Sequence, residues 1–179
     1  MTDTLPLSHS YNLARLGNAG DAVTFSADAE QRAAIARWSG VLSVEAFHVA
    51  VDVRKLGPVH FGLTFRLMAD VTQACVVTLD PVPAHLEQNF SRELHFTGPA
   101  RHRGERPAPR DDESDVDLTA EEEGPEEIES LHYNLAGPVL EEYVLALDPY
   151  PRRPGVAFEA QTEGGGRPES PFAVLKGLK

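Results

Sequence analysis

The stretch from Leu63 to Pro83, LTFRLMADVTQACVVTLDPVP, constrains this chain more than any other. From Leu63 to Leu79, eight of the nine odd positions are apolar or Cys, and Gln73 is the exception. Of the eight even positions only Met68, Ala74 and Val76 are apolar. Period-two alternation is the pattern of a strand with one face on a core. Asp80-Pro81 stops it, because Pro cannot donate to a ladder and restricts the residue before it. A half-buried strand of this length needs partners on both sides and something apolar beneath it.

The flanking sequence supplies both. Val41 to Arg54 reads as a second strand, with Phe47, Val49, Val51 and Val53 alternating against His48, Ala50, Asp52 and Arg54. Upstream, Leu42, Val44 and Ala46 sit in the opposite phase, so a bulge or bend is expected near Glu45. Lys55-Leu56-Gly57-Pro58 provides a turn, making these two strands an antiparallel hairpin that continues through Cys75. Val82 to Phe96 alternates again, with Val82, Ala84, Leu86, Phe90, Leu94 and Phe96 on one face, interrupted by Gln88 and Arg92. This predicts a third strand, antiparallel to the second, with His85 and His95 on its solvent side. Tyr11 to Leu16 is short enough for a further strand.

Two helices follow from end signals. Asp28 to Ser39 has a capping Asp, Gln31 three residues on, and Gly40 as a stop. Its apolar face is Ala34, Ile35 and Trp38, with Trp38 as a core anchor. Leu135 to Leu147 follows Asn134 as N-cap and tolerates Pro138 in its first turn. Val139, Leu140, Tyr143, Val144 and Leu147 share one face, and Asp148-Pro149 ends the helix. The expected fold is α+β: one antiparallel sheet of long bent strands, covered on one face by the two helices, in a single domain.

Two stretches lack such patterns. Thr97 to Pro125 has almost no apolar residues, and we expect a mobile charged loop there. Its first part carries Arg101, Arg103, Arg106 and Arg110. From Asp111 to Glu129 there are 11 acidic residues and no Lys or Arg, out of 28 acidic and 16 basic residues in the chain. The remainder is therefore nearly neutral, and a neutral body is not repelled by RNA as a uniformly acidic one would be. Glu126 to Tyr133 should return the chain to the sheet. Tyr150 to Glu169 reads as a flexible linker, including Gly164-Gly165-Gly166. Ser170 to Lys179 reads as a short final helix that docks through Phe172 and Leu175, on its own body or on a partner.

Chemistry-bearing motifs are sparse. Neither a nucleophile elbow, a phosphate-cradling loop nor a zinc-protease helix is present. Cys75 is the sole cysteine, so an intrachain disulfide is impossible and a Cys-based zinc site has no ligand set. On the strand it reads as a small buried hydrophobe. The seven histidines are scattered, and a hydrolase using His and Asp lacks a visible activated nucleophile. The residues thus point to a non-enzymatic protein, with no cofactor or metal expected. The N-terminus MTDTLPLSHSYNL lacks a basic region followed by an apolar run, and no apolar run approaches the length of a membrane helix. We expect a cytoplasmic protein without a membrane partner.

Three stretches, in order, carry a resemblance. Cys75-Val76-Val77-Thr78-Leu79-Asp80-Pro81-Val82 resembles the central signature of the YceD family, the large ribosomal RNA subunit accumulation proteins, which often reads Cys-x-x-Cys-Leu-x-Pro-Val. Asn134-Leu135 with Glu141 to Pro149 resembles that family's helix running into a Pro, and Ser170 to Lys179 resembles its usual ending. The match in order and spacing runs from about Gly40 to the end. In relatives with four cysteines the resemblance suggests a zinc-type site near the central turn. Thr78 stands here in place of the second Cys, so packing must hold the turn instead. The resemblance implies a role in large-subunit ribosomal RNA accumulation without known catalysis. Together with the charged loop and the lack of catalytic motifs, it favours an assembly adaptor whose partner is a ribosomal protein or a ribosome-assembly intermediate. Its partner-binding residues would be Glu121, Glu122 and Glu123 of the acidic run, with Phe172 and Leu175 of the ending. The alternative is direct binding of ribosomal RNA through Arg101, Arg103, Arg106 and Arg110, aided by Arg152 and Arg153.

Overall fold

A computed structural model describes residues 5–98 and 124–156. Its frame is a five-stranded sheet in the order β2-β3-β4-β5-β6, with β2 (Asp21–Ser26), β3 (Ser43–Lys55), β4 (His60–Ala74), β5 (Pro81–Phe96) and β6 (Glu126–Ile128). The first four strands pair antiparallel, and β6 pairs parallel with the end of β5. A separate two-stranded ribbon joins β1 (Ser10–Asn12) to β7 (His132–Asn134). Two helices, α1 (Ala29–Ser39) and α2 (Ala136–Ala146), lie on one face of the sheet. The fold is thus the expected α+β arrangement.

The alternation in β4 does what its period dictates. Phe61, Leu63, Phe65, Leu67, Ala69 and Val71 are buried, and Leu63, Phe65 and Leu67 are fully so. Phe65 stacks on Phe90, its partner in register on β5, with ring centroids 4.7 Å apart. The opposite face carries His48, Asp52, Thr64, Arg66, Asp70, His85 and Glu87 towards solvent. Gln73, the polar residue in the apolar series, is buried, and its side-chain amide donates to the Asp148 carbonyl at 2.9 Å. That bond is why a Gln is tolerated there: a buried amide without a partner is costly. The register between β3 and β4 shifts between Val44 and Ala46. Glu45 is therefore the extra residue, and the phase change in the sequence is a bulge. Arg92 interrupts the core face of β5 because its guanidinium reaches Glu141 and Glu142 of α2, at 3.5 and 3.7 Å. Pro81 and Pro83 lie where β5 is still an edge strand, since β6 pairs only from Leu94.

The helix ends follow their signals, with corrections. Asp28 caps α1, forming the full capping box with Gln31, and Gly40 closes it in the left-handed conformation. Ile35 and Ala36 are the buried residues of α1, whereas Trp38 is 42% exposed and is not a core anchor. At 3.6 residues per turn, Trp38 lies about 60° from Ile35 and about 160° from Ala36, on the flank of the buried stripe. In α2 the buried side is Val139, Leu140 and Tyr143, while Val144 is exposed on its rim. Leu135, not Asn134, is the flanking residue of α2. Asn134 nevertheless accepts from the Ala136 N–H at 3.2 Å and from the His9 N–H at 2.8 Å, tying the helix start to the N-terminal segment. The stretch from Tyr11 to Leu16 is strand only to Asn12, which caps a 3-10 turn over Leu13–Arg15. Leu13 and Leu16 need that turn to reach the core.

Candidate functional site

Three connections meet at one end of the sheet. The first is the α1–β3 link, where the Leu42 N–H donates to the Thr72 carbonyl at 2.8 Å. The second is the β4–β5 turn, residues 75–80. The third is the chain after α2, where Asp148 receives the Gln73 bond. Strand β4 ends at Ala74, which pairs with Pro81, so the stretch from Cys75 to Leu79 is a turn and not a continuing strand. Its apparent alternation has a different origin: Val76 and Leu79 face outward, at 47% and 76% exposure.

The turn is closed by hydrogen bonds. The Cys75 N–H donates to the Asp80 carbonyl at 2.8 Å, and the Leu79 N–H to the Cys75 carbonyl at 2.9 Å. Leu79 itself sits at φ 63, a strained conformation for a branched residue. The Val76 N–H donates to the Pro151 carbonyl at 2.9 Å, and Arg153 pairs with Asp80 at 3.2 Å. The start of the expected linker is therefore docked through Pro151 and Arg153, and its part beyond Val156 lies outside the described residues. Pro151 is buried. A Pro-rich stretch loses little entropy on ordering, so a few backbone bonds suffice to fix it.

Cys75 is buried, as the alternation implied. Its thiol is not an ordinary buried one, however. The Thr78 side chain donates to it, and so do backbone N–H groups of Arg153, Thr78 and Val77. These donors lower its pKa from 9.0 to about 6, against a smaller opposing effect of burial. The sign of the pH effect follows. A thiol held below its unfolded value stabilises fully above pH 9, and this contribution is lost as pH falls through about 6. Unfolding free energy, measured in urea at pH 6 and pH 9, should rise more in the native chain than in Cys75→Ala. Equal rises would mean that the thiol is not held low.

On the outer face of the sheet, Asp70 and His85 pair in register, with Oδ1 to Nδ1 at 2.6 Å. The bulge at Glu45 aims its carboxylate at the same place, where it accepts from the Thr72 hydroxyl at 3.0 Å and from the Ser43 hydroxyl. Together these line an open depression of about 400 Å³ with Pro83 and Ala84. The sequence offered no sign of the Asp70–His85 pair, because its register depends on a turn whose length was unreadable. Such a pair can orient an imidazole, yet both nearby hydroxyls donate to Glu45. Among the described residues no group of three His, Cys, Asp or Glu side chains is arranged to hold a metal ion.

The residues expected to bind partners are only partly placed. Glu121, Glu122, Glu123, Arg101, Arg103, Arg106, Arg110, Phe172 and Leu175 lie outside the described residues. The margins of the charged stretch are inside. The Thr97 N–H donates to the Ile128 carbonyl at 3.0 Å, and Glu126 accepts from the Tyr133 hydroxyl at 2.9 Å. Burial first, and then the bond to Glu126, push the Tyr133 pKa up. Arg153 is engaged with Asp80, so it is not simply a free phosphate ligand. Among the described residues no helix is long and apolar enough to cross a membrane. No family model matches the chain, and neither a curated protein nor a solved structure matches it.

Proposed function

We propose that this protein is a non-enzymatic, cytoplasmic factor in large-subunit ribosomal RNA accumulation, acting as an assembly adaptor. The observation that carries the reading is the form of the Cys75–Asp80 turn, the stretch with the central family-like signature. It is a hydrogen-bonded projection with Val76 and Leu79 turned outward, suited to contact with another macromolecule. The Asp70–His85 pair supports the same reading: among the described residues the hydroxyls beside it, those of Ser43 and Thr72, donate to Glu45 and not to the imidazole. The acidic run around Glu121, Glu122 and Glu123 supplies the charge to meet a basic ribosomal protein.

The test is affinity capture of the tagged full chain from cells, with and without nuclease. A ribosomal protein or assembly intermediate should be retained after nuclease treatment. Complete loss on nuclease treatment would mean that RNA is the tether, and the adaptor reading would fall.

A further inference from the structure

We propose that His60 and His95 form a surface chelate for a divalent late transition-metal ion of the imidazole-seeking kind, Zn2+, Ni2+ or Cu2+. The pair lies at the start of β4 and the end of β5, far along the hairpin from the Cys75–Asp80 turn, and its two residues face each other in register. The Phe96 N–H donates to the Val59 carbonyl at 2.8 Å. The next pair in register, His60 with His95, is therefore a non-hydrogen-bonded pair, the kind in which facing side chains come closest. The two rings lie face to face, with centroids 4.4 Å apart and planes 28° from parallel. Both belong to the outer face of the sheet, away from the helices, with His60 exposed and His95 half-buried.

Imidazole nitrogens are among the commonest ligands of these ions. A zinc–nitrogen bond is about 2.0–2.1 Å, so two nitrogens that share an ion stand no more than about 4 Å apart. Rings 4.4 Å apart reach that spacing by side-chain rotation, with the backbone in place. The backbone there is well held, since the Leu56 and Gly57 N–H groups both donate to the His60 carbonyl, at 3.0 and 3.1 Å. His85 is engaged by Asp70, but among the described residues no side chain bonds either ring of this pair, which leaves their nitrogens to an ion. The surrounding charge favours a cation. Glu127 of β6 continues the same row, in register with His95, and the adjoining row holds Arg54, Gly62 and Glu93. Glu93 and Glu127 are both exposed, so two carboxylates stand against one guanidinium. The described residues offer two ligands here and no preformed set of three. Water therefore completes the coordination shell, as it does in zinc sites with an open position. An ion held this way links β4 to β5 beside β6, and it stabilises the native hairpin by binding that form alone.

The test is calorimetric titration of the tag-free full chain with Zn2+. A second ligand positioned on the same scaffold raises affinity about a hundredfold over one alone, so His60→Thr and His95→Thr should each weaken binding by about that factor. Thr suits an exposed strand position, and far-UV circular dichroism of the variants should match the native chain. His85→Ala should bind Zn2+ as the native chain does. The native chain also tests the proposal without any variant: in NMR spectra, Zn2+ should shift the imidazole signals of His60 and His95 together, at the same concentrations. Losses below about tenfold in both Thr variants would overturn the proposal. So would imidazole signals of His60 and His95 that stay in place while heat is released. Loss of binding in His85→Ala with the Thr variants unaffected would place the ion on the Asp70–His85 pair and overturn it equally.

Discussion

Replacing Tyr143 by Ala should lower the unfolding free energy by about 3–5 kcal/mol, the range for deleting a large buried aromatic side chain. Tyr143 is fully buried where α2, α1 and the sheet converge. Its ring meets Phe47 of β3 edge-on, with centroids 5.5 Å apart at 70°. Its hydroxyl lies 3.3 Å from the Ser39 hydroxyl at the end of α1. Burial, the larger influence, raises its pKa, and the bond with Ser39 opposes the rise. Removing the ring would leave a cavity beneath both helices at the end that carries the turn. Tyr143→Phe keeps the ring and should cost only about 1 kcal/mol. The Ser39 hydroxyl retains its bond to the Ile35 carbonyl at 2.8 Å, so it is not left unpaired. Urea denaturation of the two variants separates ring from hydroxyl. A loss below about 1.5 kcal/mol for the Ala variant would mean that α2 does not pack on this sheet.

Changing Glu121, Glu122 and Glu123 to Lys should weaken association with ribosomal particles by about a hundredfold or more. Three charge contacts at a partner surface, each about 1 kcal/mol, sum to about 3 kcal/mol, and reversal adds repulsion to their loss. Changing Arg101, Arg103 and Arg106 to Glu should leave that association nearly intact. Eleven acidic residues stand between Asp111 and Glu129, close in sequence to those arginines. At a physiological screening length of about 8 Å they oppose phosphate binding nearby. If instead the arginines bound single-stranded RNA through about four phosphates, log affinity would fall against log salt with a slope on the order of −3. Salt alone does not separate the two, since it weakens both. Particle co-sedimentation of the two triple variants does. Loss on arginine reversal alone would replace the adaptor by an RNA-binding protein.

The parts of the fold legible in the sequence are those set by neighbours along the chain. The capping box of Asp28 and Gln31, the alternation of Leu63 to Val71 and the phase change at Glu45 all appear where the sequence placed them. What was illegible depends on partners distant in sequence. Trp38 has the right spacing for a core face, yet the sheet meets the helix along Ile35 and Ala36. The Pro-rich segment after Asp148 looks like a spacer until Val76 and Asp80 are there to bond it. The six-residue reversal after Ala74 hid the register that unites Asp70 with His85. It also disguised the most exposed part of the turn as more strand.

The parallel pairing of β6 has a consequence for how this chain can change. Leu94 faces Glu126 and Phe96 faces Ile128, so the chain departs and returns at adjacent points on the sheet. The bond from Thr97 to Ile128 fastens the two margins together. The two margins are therefore already joined, whatever chain runs between them. Each doubling of the length of a connecting loop changes closure by only about 0.6 kcal/mol. Natural variants, or a designer, can lengthen, shorten or recharge the sequence between these margins while the core remains the same, letting charge diverge faster than architecture.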